Sequence, residues 1–244
     1  MIRTLKVLSL LLAYPTREIK AAASEFARVL EAEGHLPEAR RAPLRRLAAQ
    51  FGERDLFDLE ERYVLLFDRT RSLSLHLFEH VHGESRDRGQ AMVELGELYA
   101  ANGLEMPANE LPDYLPLFLE FLATRPAPEA REYLADIAHI VAALGERLRK
   151  RKSIYAEVFA AIEALAGMKA EPVEIAELLE RPDDDPHDLE ALDRVWEEAP
   201  VTFGGAPGPD ASASCGPDRV AAQIRAGRRP PPAGPGETRE DRQG

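Results

Sequence analysis

The sequence contains a single cysteine, Cys215, and therefore neither a CxxC pair nor the combined cysteine and histidine spacing of a zinc finger. A disulfide within the chain is therefore excluded, and nothing points to an oxidising compartment. The phosphate-binding loop, the dinucleotide fingerprint and the G-x-S-x-G turn of several large enzyme classes are also missing. No organised base lies near Cys215 in the sequence, so it does not indicate a cysteine nucleophile. These absences predict that the protein is not an enzyme.

Glycine is scarce in most of the chain, because half of the 16 glycines follow Val201, together with seven of the 19 prolines. Apolar residues make up 45% and charged residues 30% of the sequence, which is ordinary for a globular protein. From Gly204 onward the chain lacks hydrophobic periodicity, so burial cannot offset the entropy cost of ordering. The sequence predicts one folded domain, residues 1–203, and a disordered tail, residues 204–244.

Positive charge is also in short supply, since 31 lysines and arginines face 43 acidic residues, for a net charge of −12. An acidic chain is repelled by nucleic acid, so we expect no nucleic-acid partner. The apolar run after Met1 is too short to cross a bilayer, and we expect no integral membrane segment. Tyr14 and Pro15 follow this run where a signal peptide would have small residues. The run therefore predicts a buried first helix rather than a targeting segment.

No stretch of the sequence shows the strict alternation of a β-strand. Apolar residues instead recur three or four positions apart, as they do at Leu56, Leu59, Tyr63 and Leu66. Helix-start and helix-stop signals punctuate this pattern, with Thr16 and Asp55 as candidate N-caps and Gly103 as a candidate C-cap. The pattern predicts an all-α fold, a single-domain bundle of about nine to eleven helices.

The segment from Tyr63 to Met92 stands out because it combines an apolar start with dense, balanced charge. Between Asp68 and Gln90 lie four acidic residues, four arginines and three of the six histidines. Balanced charge argues against a surface for a phosphate backbone. Mixed charges beside apolar residues suit either a specific recognition surface or an internal network of ion pairs.

Three residues of this segment, His76, Glu79 and His80, match the H-x-x-E-H pattern of inverted zinc proteases. On a helix, the two histidines would share one face and could bind one Zn²⁺, with the glutamate as a nearby base. A pattern of five residues is weak evidence for a zinc site, which would also need a third protein ligand, so zinc binding is not the preferred interpretation. A zinc-dependent hydrolase is therefore retained as an alternative hypothesis.

A longer stretch carries a family resemblance. The sequence RSLSLHLFEHVHGESRDRGQAMVELGELYAANGLE, followed by ELPDYLPLFLEFLA, resembles the NarJ family, and the similarity extends to WEEAPVTF near Phe203. The wider group of redox-enzyme maturation chaperones has a Glu-Pro-x-Asp-His signature. The matching position here ends in Asp113-Tyr114, and this departure favours the nitrate-reductase branch.

The resemblance implies a cytoplasmic chaperone that binds the apo form of the catalytic (alpha) subunit of respiratory nitrate reductase. It would recognise the N-terminal segment of that subunit, an amphipathic helix held in a groove, and support molybdenum cofactor insertion before membrane attachment. Molybdenum cofactor biosynthesis proteins are further implied partners. No cofactor would be held stably, and contact with molybdopterin guanine dinucleotide would be transient and through the client. A helical interaction protein without a cofactor role is the remaining alternative.

The resemblance also places the polar part of the segment from Tyr63 to Met92, which is residues 68–90 and is named here the polar motif, beside the surface that receives the client. The residues expected there are Asp68, Arg69, Arg71, Ser72, His76, Glu79, His80, His82, Glu84, Asp87, Arg88, Gln90, Asp113 and Tyr114.

Overall fold

The computed structural model describes residues 2–81, 86–106, 110–167, 169–181, 183, 185, 187 and 188. The helices are α1 (Arg3–Leu12), α2 (Arg17–Glu33), α3 (Glu38–Glu53), α4 (Leu56–Tyr63), α5 (Leu77–Val81), α6 (Arg86–Ala101), α7 (Leu115–Ala123), α8 (Ala127–Asp136), α9 (Ala138–Lys150), α10 (Ala156–Ala166) and α11 (Pro172–Leu179). A π turn (Val64–Asp68) and a 3-10 helix (Arg71–Leu73) separate α4 from α5. Over these ranges there is no strand, and the predicted all-α bundle is confirmed. The predicted tail, residues 204–244, lies outside the described residues.

Helix α1 lies at the centre of the bundle, where it packs against α7, α2 and α10. Its leucines at positions 5, 8, 11 and 12 are fully buried. Two hydrogen bonds fix it to α7: the Ile2 amide donates to the Ala123 carbonyl at 3.0 Å, and the Ser9 hydroxyl donates to the Pro116 carbonyl at 2.7 Å. The prediction that this apolar run forms a buried first helix is confirmed.

The predicted helix caps are also confirmed. The Thr16 hydroxyl accepts a hydrogen bond from the Ile19 amide at 3.2 Å, and the Asp55 carboxylate accepts one from the Phe57 amide at 2.9 Å. Gly103 has φ +75°, and the Leu104 amide beyond it donates to the Tyr99 carbonyl at 3.0 Å. A left-handed residue with this hydrogen bond is a Schellman ending, and glycine adopts it without a steric cost.

The apolar spacing from Leu56 to Leu66 predicts one core-facing helix stripe, but the regular α-helix ends at Tyr63. After Tyr63 the chain enters the π turn, where the Arg69 amide donates to the Val64 carbonyl at 3.0 Å. The extra residue in this turn rotates the chain, so Phe67 is buried while Leu66 is only half-buried. The Phe67 ring lies 5.2 Å from that of Tyr63 and 5.1 Å from that of Tyr155.

Two other sequence expectations are corrected. The apolar pattern from Tyr133 to Leu148 predicts one long helix, but the chain turns at Ile137, which has φ −96° and ψ 4°. Ile137 is fully buried, and its packing holds the turn although neither glycine nor proline is present there. The sequence also predicts Pro112 in the first turn of the next helix. Pro112 instead precedes α7, and Pro116 occupies that place.

Helix α9 crosses α10 closely, and α9 also contacts the 3-10 helix of the polar motif. A Cβ added at Gly145 of α9 would lie 3.2 Å from the Cβ of Phe159 in α10, so glycine permits this approach. Helix α9 also contacts α11. The contact with the 3-10 helix places the end of α9 beside the polar motif, where Arg147 reaches the Ser72 carbonyl.

Candidate functional site

The two chain segments that carry the family resemblance are joined in the fold. The Leu115 amide donates to the Leu75 carbonyl at 2.8 Å, and the Leu77 amide donates to the Asp113 carbonyl at 3.0 Å. Between these bonds, His76 and Tyr114 pair as an isolated antiparallel bridge. The predicted site residues of both segments are therefore neighbours, although 37 positions separate Asp113 from His76 in the sequence.

Asp113 organises this junction and is 0% exposed. One carboxylate oxygen lies 3.1 Å from Nδ1 of His76, and the other accepts a hydrogen bond from the Phe78 amide at 3.1 Å. Together with its carbonyl, which binds the Leu77 amide, Asp113 satisfies the free amides at the start of α5. A five-residue helix has little stability of its own, so this cap from a distant segment holds it in place.

A chain of tyrosines extends from this junction toward the surface. The Tyr114 ring lies 5.5 Å from the His76 ring, and its hydroxyl lies 2.8 Å from that of Tyr63. The Tyr14 ring packs edge-on against Tyr63 at 5.3 Å and is 46% exposed. Burial raises the pKa of Tyr114 to about 12, so this hydroxyl stays protonated at neutral pH. The tyrosines link the buried Asp113 to an exposed aromatic edge.

The two described histidines of this segment, His76 and His80, have opposite electrostatic environments. Burial opposes the charged form of His76, but the hydrogen bond and the charge of Asp113 outweigh it, and the pKa of His76 is raised. His80 is buried, and Nε2 of its ring lies 2.8 Å from the Ser74 carbonyl, to which it donates. Burial lowers the pKa of His80 despite this bond. The fold therefore favours a charged His76 and a neutral His80.

The expectation that His76 and His80 share one helix face is wrong. His76 lies in the bridge just before α5 begins at Leu77, whereas His80 lies within the helix. Each ring has a different protein partner, Asp113 for His76 and the Ser74 carbonyl for His80. In the part of the chain that the structure describes, no group of three or more His, Cys, Asp or Glu side chains is placed to hold a metal ion. The zinc-hydrolase hypothesis therefore gains no support from these residues.

The remaining predicted site residues divide by exposure. Those on the surface are Asp68, Arg71, Asp87 and Gln90, and those half-buried are Arg69, Glu79 and Arg88. Arg88 pairs with Glu79 across α5 and α6 at 3.2 Å. Ser72 is buried like His80 and Asp113, so these three side chains stabilise the site from within. His82 and Glu84 lie outside the described residues.

Arg147 was missed as a site residue by the sequence analysis. In the sequence it belongs to a basic cluster, residues 147–152, that could contact an anionic membrane surface or a nucleotide-bearing cofactor. The interpretation that the sequence favours is a complement to the dipole of α9. In the structure it is 3% exposed and donates to three carbonyl oxygens, those of Ser72 (2.6 Å), Leu178 (2.8 Å) and Arg181 (2.9 Å). Its position three residues after the buried Leu144 places it on the apolar face of α9, a spacing that marks a buried residue.

Comparison with known proteins now gives the family. Residues 33–161, more than half of the 244, match the model of the nitrate reductase delta subunit family. The chain is 42% identical over 223 residues to the nitrate reductase molybdenum cofactor assembly chaperone NarJ of Escherichia coli (strain K12), covering 91% of each protein. This chain belongs to the nitrate reductase delta subunit family.

Two further similarities agree with membership of the delta subunit family. NarW of the same organism is 45% identical over 148 residues, which cover 61% of this chain and 64% of NarW. A solved structure, described as a redox enzyme maturation protein from Archaeoglobus fulgidus, matches with a TM-score of 0.51 at 22% identity. The match covers 69% of this chain and 94% of that one, and it supports the helical fold of the family. Within the described residues, no helix is long and apolar enough to cross a membrane.

Proposed function

We propose that this protein is a chaperone for nitrate reductase assembly. It binds the apo catalytic subunit through its N-terminal segment and supports molybdenum cofactor insertion before the enzyme attaches to the membrane. The observation that carries this proposal is the 42% identity to the assembly chaperone NarJ over 91% of both chains. A chaperone of this kind works in the cytoplasm and by binding, without catalysing a reaction.

The geometry around Asp113 supports recognition of a client segment. The buried Asp113 and His80, together with the half-buried Tyr114, fix the backbone of α5 and the turn before it. The exposed charges of Asp68 and Arg71 lie on the chain leading into that fixed turn. A surface held rigidly from below loses little entropy when a partner binds, which favours specific recognition.

The same proposed role determines how this protein would meet the molybdenum cofactor. The proposal assigns no stably held cofactor to this chain, and molybdopterin guanine dinucleotide would be contacted transiently through the client. Molybdenum cofactor biosynthesis proteins would then be partners of the chaperone–client complex.

The experiment that tests the proposal is titration calorimetry with a synthetic peptide of the N-terminal segment of the catalytic subunit. We expect a Kd on the order of 10⁻⁸ to 10⁻⁵ M, because ordering of the peptide offsets much of the gain from burial. Burial of apolar surface makes the heat-capacity change of binding negative. Asp68→Ala should weaken binding, whereas Glu53→Ala, an exposed carboxylate at the end of α3, should bind like the wild type.

A second measurement separates a client-specific chaperone from a general helical interaction protein. Tagged protein should capture the apo catalytic subunit and release it once the cofactor is inserted. Failure to capture the apo subunit, together with no measurable peptide binding, would contradict the proposed function.

A further inference from the structure

Helix α11 packs on helix α9 near the end of the described residues. Together with Glu180, Arg181 and Asp183 it is named here the C-terminal strap. No residue of α11 is fully buried, and Val173 is 69% exposed. Helix α9 beneath it is buried on most of its circumference, including Ile140, Ala143 and Leu144. Helix α11 therefore packs against α9 without burying any of its own residues fully.

Polar contacts attach the strap to the motif that carries the family resemblance. The Ser72 hydroxyl donates to the Asp183 carboxylate at 2.9 Å, and the Arg151 guanidinium pairs with the same oxygen at 2.6 Å. The Arg181 guanidinium donates to the Glu79 carbonyl at 3.3 Å. The strap therefore reaches two of the residues expected at the client site, Ser72 and Glu79.

The buried Arg147 joins the strap to the motif through backbone carbonyls. Two of its acceptors, Leu178 and Arg181, lie at the C-terminal end of α11 and just beyond it, and the third is Ser72. Carbonyls at the end of a helix lack intrahelical donors and carry partial negative charge. The contact depends on backbone atoms, so another helix placed in the same direction could offer the same acceptors whatever its sequence.

We infer that α9 and the 3-10 helix Arg71–Leu73 form a docking surface for an amphipathic client helix, and that the C-terminal strap occupies it in the free protein. Arg147 receives the last carbonyls of the strap, and after exchange it receives those of the client. This inference rests on the proposed function and adds the place where the client docks. The strap and the client helix therefore compete for the same surface, and the client displaces the strap when it binds.

The free-energy terms favour replacement of the strap by the client over a docking surface that stays uncovered in the free protein. Withdrawal of the strap alone would leave the buried donors of Arg147 without those acceptors, which is unfavourable. Because no residue of α11 is fully buried, little buried apolar surface of α11 becomes exposed when the strap leaves α9. A surface that is open only part of the time binds its ligand with an affinity reduced by the open fraction. Loosening the strap should therefore tighten client binding.

The experiment uses the full chain, the N-terminal client peptide and two matched variants. Asp183→Ala removes the acceptor shared by Ser72 and Arg151, and Glu180→Ala removes one negative charge from an exposed position of the same strap. We expect Asp183→Ala to lower the Kd for the peptide about 3- to 10-fold and Glu180→Ala to leave it unchanged. Hydrogen exchange of the amides in residues 173–181 should quicken in free Asp183→Ala, and in the wild type when it is saturated with peptide.

Each other outcome overturns the inference. If the peptide binds the wild type but leaves strap exchange unchanged, the client docks elsewhere while the proposed function stands. Equal affinity of Asp183→Ala and wild type would show that the strap does not compete. Absence of peptide binding in both proteins also rejects this docking surface, and capture of the whole catalytic subunit then tests the proposed function separately.

Discussion

Asp113 is a single residue that holds two parts of the site together. Its one buried carboxylate accepts a hydrogen bond from the first turn of α5 and also binds the ring of His76. Asp113→Ala leaves the Phe78 amide without its acceptor and removes the partner of His76. We expect a loss of roughly 3 kcal/mol in the free energy of unfolding, in the range for buried charge-assisted hydrogen bonds. Urea unfolding should show it. Asp68→Ala, at an exposed position, should change stability by less than about 0.5 kcal/mol.

The histidines give a second test at this scale, by NMR titration of the ring protons. His76 should titrate above and His80 below the reference pKa of about 6.5. The raised pKa of His76 means that its contribution to stability is complete below pH ~6.5 and is lost as pH rises through its folded pKa. The lowered pKa of His80 means that its contribution is complete above pH ~6.5 and is lost as pH falls toward its folded pKa. His76→Gln and His80→Gln assign the signals, and a reversed order would contradict this picture of the site.

The π turn makes a distinct prediction at the scale of the element. Phe67 packs between two aromatic rings, so Phe67→Ala should cost about 3–5 kcal/mol. Leu66 is only half-buried, and Leu66→Ala should cost less than about 2 kcal/mol. Thermal and urea unfolding of the two variants check the order. A larger loss at Leu66 would mean that the regular α-helical spacing continues past Tyr63.

At the scale of the whole molecule, composition predicts that the residues after Phe203 are dispensable for folding. A chain ending at Phe203 should melt within a few degrees of the full-length protein, since no apolar periodicity is lost. Differential scanning calorimetry compares the two. A drop of about 10 °C or more would show that the removed residues pack against the bundle.

The whole molecule also depends on contacts between distant segments. Helix α1 is fixed to α7, and Arg147 of α9 binds both the 3-10 helix and the strap. A change at one of these contacts should therefore affect the site as well as stability. Peptide titration and unfolding need to be measured on the same variants so that the two effects can be separated.

The sequence by itself determined the all-α fold class, the buried first helix and several helix ends. Leu5, Leu8 and Leu11 predicted a buried helix, and Thr16 and Gly103 predicted helix ends that the structure shows. These signals are local, because spacing and capping act over a few residues and need no distant partner. The long family motif was likewise sufficient to suggest the chaperone family.

Only the tertiary structure decided which residues of the motif face inward. Asp113 and Ser72 look like surface polar residues in the sequence, but their partners lie in distant segments that only the fold brings near. The turn at Ile137 and the burial of Phe67 likewise depend on packing, since neither has a glycine or proline signal. Arg147 is the clearest case. Its place in a basic cluster gave no sign of burial, and it is buried because three carbonyls from two distant segments accept hydrogen bonds from its guanidinium.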